Sequence, residues 1–189
     1  MATEQVNREQ LAHVLRAASA IVDDHDILII GSQSLLGSFD ENVLPLEATA
    51  SMEVDLAYFD DPDEVKADRV DGAIGELSPF HELHGFYAQG VSVSTAVLPE
   101  GWRDRVVLWS NRSTGGARAA FLEPHDCVVS KLVAYREKDV AFAAALLDAG
   151  LVDATVLRSR VDQLPAGVDR RIPRMLHDWL DWYVRSPRS

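Results

Sequence analysis

Cysteine is almost missing from this chain of 189 residues. Its one cysteine, Cys127, excludes an intramolecular disulfide and any cysteine-based zinc site, and its place in an apolar run reads as core. Nowhere do eighteen apolar residues run together, so no membrane span is expected. The opening Met1-Ala2-Thr3-Glu4-Gln5 lacks the basic-then-apolar order of a signal peptide, and a cytoplasmic address is the expectation. Neither a Walker A loop nor a Gly-x-Ser-x-Gly elbow occurs, which sets aside P-loop ATPases and the hydrolases built on that turn. Internal repeats and low-complexity segments are also absent.

Lysine is scarce too, with Lys66, Lys131 and Lys138 against fifteen arginines. The net charge of −12 argues against broad nucleic-acid binding over the whole surface. That charge is uneven: from Arg158 to Ser189 seven arginines meet four aspartates, a surplus of three, which leaves −15 on the remainder. A local basic strip beside an acidic, metal-collecting half fits this split, as does a basic protein partner for the acidic body. A hydrophobic content of 47% is ample for a real core.

Periodicity predicts an α/β (α+β) chain. An amphipathic helix over 7–23 has Asn7 as N-cap and Gln10 at the capping-box position. A buried strand follows at 26–30, then a helical turn at 33–36 and a loop-rich stretch over 37–51. The next strand, 52–59, alternates: Met52, Val54, Leu56 and Tyr58 on one face, Glu53 and Asp55 on the other. Asp61 as N-cap and Pro62 at N1 predict a helix to about Leu77, stopped by Ser78-Pro79. The β-rich run 91–98 predicts another strand, and 106–109 with 117–122 a hairpin. Helices are expected over 124–136, 138–149, 152–163 and 168–184. The change from strand-rich to helical sequence near Glu123 suggests a sheet domain, 1–123, and a C-terminal helical region, 124–189, that completes the site.

Three groups of residues point to chemistry. Glu53 and Asp55, on one face of a strand inside an otherwise apolar run, repel each other unless a cation lies beside them, and Mg²⁺ with phosphate oxygens is the common solution. Gly31-Ser32, at the end of a buried strand, suits close approach to a phosphate. Within 130–139 fall two of the three lysines; on one continuous helix Lys131 and Lys138 would share a face, with Asp139 beside them as a carboxylate able to take a proton. Together these are the parts of metal-assisted phosphoryl or nucleotidyl transfer. Against each stands a plain structural reading: a Gly-Ser turn, an exposed acidic strand face, and a charged helix surface. His81 and His84, spaced i, i+3, would need a third ligand to make a metal site. Trp179, Trp182 and Tyr183 beside Arg185 offer base stacking, but their helical spacing favours a packing face.

The combination of Gly31-Ser32, Glu53-x-Asp55, Ser130-Lys131 and Lys138-Asp139 leading into Phe142, Leu146, Leu147 and Gly150-Leu151 resembles the nucleotidyltransferase-type toxins of the AbiEii and MenT group, over residues 27–151. The resemblance implies a nucleotidyltransferase-like mixed sheet flanked by helices, and transfer of a nucleoside monophosphate from a nucleoside triphosphate with Mg²⁺. It implies a tRNA 3′ end or another RNA as acceptor, and a cognate antitoxin as partner. Carried over by position, Gly31 and Ser32 bind triphosphate, with Lys138 beside them; Glu53 and Asp55 bind metal, Asp55 being also catalytic. Lys131 binds phosphate and is catalytic, and Asp139 is the catalytic base. Ser51 falls where some relatives carry a regulatory hydroxyl.

Three departures stand out. Twenty residues separate Ser32 from Glu53, so 37–51 must form an excursion. The first carboxylate is Glu, with a longer reach. The expected strand 91–98 brings no third carboxylate, which leaves Asp139 as the base. It also admits two alternatives: a non-catalytic, nucleotidyltransferase-like binding or regulatory protein, and transfer of the nucleotide to a protein side chain.

Overall fold

The structure, a computed structural model, describes residues 6–109 and 112–186. Asn7 opens helix α1 (Arg8–Val22) with the expected capping box, its carboxamide accepting from the Gln10 N–H while the Gln10 side chain accepts from the Asn7 N–H. The apolar stripe of α1, including Leu11, Val14, Leu15 and Ala18, is buried. After it come β1 (Asp26–Ile29), a 3-10 turn over Ser32–Gly37, and α2 (Leu46–Thr49). Then follow β2 (Glu53–Tyr58), α3 (Val65–Ile74), α4 (Pro79–His84) and β3 (Tyr87–Gly90). The chain continues through α5 (Trp102–Arg105), β4 (Val107–Trp109) and β5 (Arg118–Phe121). It closes with α6 (Pro124–Ala134), α7 (Glu137–Asp148), α8 (Ala154–Asp162) and α9 (Arg171–Arg185).

The five strands form one mixed sheet in the order β3-β2-β1-β5-β4. β1 lies at its centre, antiparallel to β2 and parallel to β5, and its Ile27, Leu28 and Ile29 are fully buried. β4 and β5 pair antiparallel as the expected hairpin. This is the mixed sheet flanked by helices that the sequence predicts. One apolar core runs from Leu11 and Val14 of α1 through the sheet to Leu132, Leu146, Leu157 and Leu180 of the later helices. Among the described residues no helix is long and apolar enough to cross a membrane.

Two elements differ from expectation. The run 91–98 is not a strand: Ser92 caps a 3-10 turn over Val93–Thr95, and the Thr95 hydroxyl bonds back to the Ser92 carbonyl. Local hydroxyl-to-backbone bonds outcompete the ladder there. The sheet instead takes β3, parallel to β2, and its last residue is Gly90, where a Cβ would meet the Ala67 carbonyl oxygen of α3 at 2.0 Å. The helix expected from Asp61 to Leu77 begins at Val65, after Glu64 in a left-handed conformation (φ 59°). Asp61 still caps it from a distance, its carboxylate accepting from the N–H groups of Lys66 and Ala67. Ser78-Pro79 ends that segment by starting α4, with Ser78 as N-cap and Pro79 in the first turn.

Candidate functional site

The site is built at the end of β1. Gly31 turns the chain with φ +71°, a conformation that glycine adopts without strain. Its carbonyl accepts from the Ser34 hydroxyl at 2.7 Å and from the Cys127 thiol at 3.1 Å. The bare Cα of Gly31 faces the neighbouring strand, and Asp55 packs there: a Cβ on Gly31 would lie 2.0 Å from Asp55 Oδ2. The buried Gln33 donates to the Ser51 carbonyl at 2.8 Å, tying the 37–51 excursion to the head of β2.

β2 alternates as its sequence predicts, with Val54, Leu56 and Tyr58 buried and Glu53 and Asp55 half-buried on the other face. Met52 lies outside the strand and is exposed. Burial, and after it the hydrogen bond and charge of Glu53, push the Asp55 carboxyl up to about 8, against which Lys131 and Lys138 pull it down. Asp55 is therefore held protonated at neutral pH unless a cation joins the pair. Across the strand pair, Tyr87 of β3 stands opposite Glu53 and donates its hydroxyl to Oε2 at 3.2 Å. Gln89 stands opposite Asp55, so β3 brings no third carboxylate to this face.

Lys131 and Lys138 do not share one continuous helix. Tyr135 adopts a left-handed conformation (φ 50°) that ends α6, and α7 restarts after Arg136. Across the bend both lysines nevertheless line one cleft with the acidic pair. Lys131 lies 5.0 Å over the ring of Phe142, and Lys138 comes from the first turn of α7. Asp139 is 1% exposed, and its two oxygens accept from Arg136 Nε at 2.6 Å and from Nη2 at 3.3 Å.

These elements enclose a cleft of about 430 Å³ whose lining includes Ser32, Glu53, Asp55, Lys131, Lys138 and Asp139. Of the residues the sequence singled out, Gly31 lies behind Asp55, and Ser51 forms part of the wall. Sequence reasoning missed Glu47, which α2 carries to the rim, and Arg136. The i, i+3 spacing of Arg136 and Asp139 was the visible signal for the second, since a buried carboxylate requires a partner.

Other candidates go elsewhere. His81 Nδ1 accepts from the Leu77 N–H and its ring lies against Tyr87, whereas His84 packs against His13, Phe80 and Phe86. Among the described residues no three His, Cys, Asp or Glu side chains converge as a metal site. Glu53 and Asp55 are two hard oxygen donors, which fits a hard divalent cation that takes its other ligands from phosphate and water. Cys127 is fully enclosed and burial pushes its thiol up, so it stays an inert core residue. The aromatic trio divides: Trp179 and Tyr183 are buried against the core, while Trp182 is 64% exposed.

No curated protein and no solved structure matched the chain. The family model described as "Nucleotidyltransferase of unknown function (DUF6036)" matches residues 9–185, nearly the whole length. On that match, and with a mixed sheet bearing paired acids opposite lysines, the chain belongs to this family of nucleotidyltransferases.

Proposed function

We propose that the chain transfers a nucleoside monophosphate from a nucleoside triphosphate to an RNA acceptor, the tRNA 3′ end, with Mg²⁺. The observation that carries this reading is the charge arrangement of the cleft: Glu53 and Asp55 on one wall, Lys131 and Lys138 on the other. A cleft of 430 Å³ is of the size that holds a small ligand.

Glu53 and Asp55 would hold Mg²⁺, which when bound would supply the positive charge that lets Asp55 ionise beside Glu53 and that offsets the triphosphate. Lys131, Lys138 and the Ser32 hydroxyl bind the triphosphate and orient the α-phosphorus toward the acceptor. The acceptor hydroxyl oxygen forms the new bond to that phosphorus as the bond to the β-phosphate bridge breaks. Pyrophosphate leaves with that electron pair, and the hydroxyl proton passes to Asp139. Arg136 holds Asp139 through both oxygens, and the weaker of the two contacts, Nη2 to Oδ1 at 3.3 Å, leaves that oxygen with a lone pair able to take the proton.

Incubation of the purified protein with α-labelled nucleoside triphosphates, Mg²⁺ and tRNA tests the reading. Label in RNA, lost in Asp55→Ala and Lys131→Ala, is the expected result. Expression should also arrest growth, and co-expression of a cognate antitoxin should relieve it. Absence of label from RNA with every nucleotide overturns the RNA-transfer reading, and label on protein instead would move the acceptor to a side chain. A second reading, nucleotide binding without turnover, is favoured by Gln89 opposite Asp55 and by the Arg136 clamp on Asp139. Calorimetric nucleotide binding with no transfer to any acceptor would select it.

A further inference from the structure

We propose that Tyr87 is a positioning residue for Glu53, whose hydroxyl holds one carboxylate oxygen and thereby fixes the carboxylate for a divalent cation in the cleft. The inference rests on the reading of Glu53 and Asp55 as metal ligands and adds a residue outside the cleft lining to that site. The two acids are steadied in different ways. Asp55 is pressed against the backbone of Gly31, which leaves its short side chain little freedom. Glu53 has one more rotatable bond and a half-exposed position at the end of β2, so an unanchored carboxylate there would sweep through solvent.

The anchor comes from the sheet. Glu53 and Tyr87 are register partners on parallel strands, which puts both side chains on one face, and Tyr87 Oη donates to Glu53 Oε2 at 3.2 Å. Tyr87 is itself held: the His81 ring lies against it with centroids 4.7 Å apart, and His81 Nδ1 accepts from the Leu77 N–H at 3.1 Å. With Oε2 held by the phenol, Glu53 is turned toward Asp55, with which it shares a hydrogen bond, and a cation that displaces the shared proton would meet both carboxylates in that fixed pose. Groups that orient a ligand in this way set metal affinity without touching the metal. The length of Glu is part of the arrangement, since an aspartate at 53 ends one methylene sooner and falls short of the Tyr87 hydroxyl.

The test is direct Mn²⁺ binding to the full chain, followed by electron paramagnetic resonance in the presence of a non-hydrolysable nucleoside triphosphate analogue. Tyr87→Phe keeps the ring and its contact with His81, so the fold is retained, and circular dichroism checks that. The variant should bind Mn²⁺ about 10-fold more weakly, with metal-free nucleotide affinity held within about twofold of wild type. In a Glu53→Asp background the same change should have no further effect, because the bond it removes is already gone. Equal Mn²⁺ affinity in wild type and Tyr87→Phe, with both binding, overturns the role of Tyr87 and leaves the cleft reading standing. If wild type itself binds no Mn²⁺ with nucleotide present, the cleft reading fails and the role of Tyr87 with it.

Discussion

Asp55 and Gly31 are in contact across two strand ends, so closely that a single methyl group on Gly31 would overlap Asp55 Oδ2 at 2.0 Å. The glycine thus does two jobs: it turns the backbone at φ +71° and leaves the space into which the acid folds. Gly31→Ala should therefore displace the Asp55 carboxylate and strain the turn. A loss of about 1–3 kcal/mol in urea unfolding is expected, together with weakened Mn²⁺ binding. Unchanged metal binding in a folded Gly31→Ala protein would show that Asp55 does not need this seat.

The raised carboxyl of Asp55 gives a pH dependence of known sign. In the folded, metal-free protein Asp55 keeps its proton up to about 8, whereas the unfolded chain releases it near 3.8. Between those values the native state binds more protons, so stability falls as pH rises through the window and levels off above it. Urea midpoints measured in a chelator should show this decline, and Asp55→Asn should flatten it. A wild-type midpoint that climbs over the same range would contradict the assignment.

Asp126 carries a different kind of buried charge. It is fully enclosed, receives Arg105 Nε and Nη2 at 2.8 and 3.0 Å, and lies 3.1 Å from Arg160 Nε. Burial pushes its carboxyl up, and the two arginines pull it back. The triad pins α5 and α8 to α6. Asp126→Ala leaves two mostly buried guanidinium groups without their acid, and a loss of about 3–5 kcal/mol should follow in equilibrium unfolding.

Trp179 and Trp182, three residues apart on α9, should respond oppositely. Trp179 is 7% exposed, and Trp179→Ala should cost about 3–5 kcal/mol. Trp182 is 64% exposed, and Trp182→Ala should stay within about 0.5 kcal/mol of wild type. Comparable destabilisation by the two would mean that the outer face of α9 is covered.

Much of the architecture was legible because it rests on local rules. The Asn7–Gln10 box, the alternation on β2 and the hairpin of β4 with β5 follow from spacing within a few residues. β3 was not legible. Tyr87-Ala88-Gln89-Gly90 has little strand propensity and becomes a strand by pairing with β2, whereas the β-rich run after it is diverted by Ser92 and Thr95. Arg136 and Glu47 were missed for a related reason. A salt-bridged arginine and an exposed acid look ordinary in sequence, and only the break at Tyr135 and the packing of α2 bring them to the cleft.

By itself the sequence determined that two acids share a strand face, that glycine follows the central strand, and that two lysines lie within eight residues of each other, because each is a matter of identity and short-range period. It left open how far apart these groups stand. The tertiary structure decided that, since the left-handed Tyr135 bends two helices around the end of β2 and closes the acids and lysines on one cleft. It also set Tyr87 opposite Glu53, a neighbour that strand pairing alone supplies.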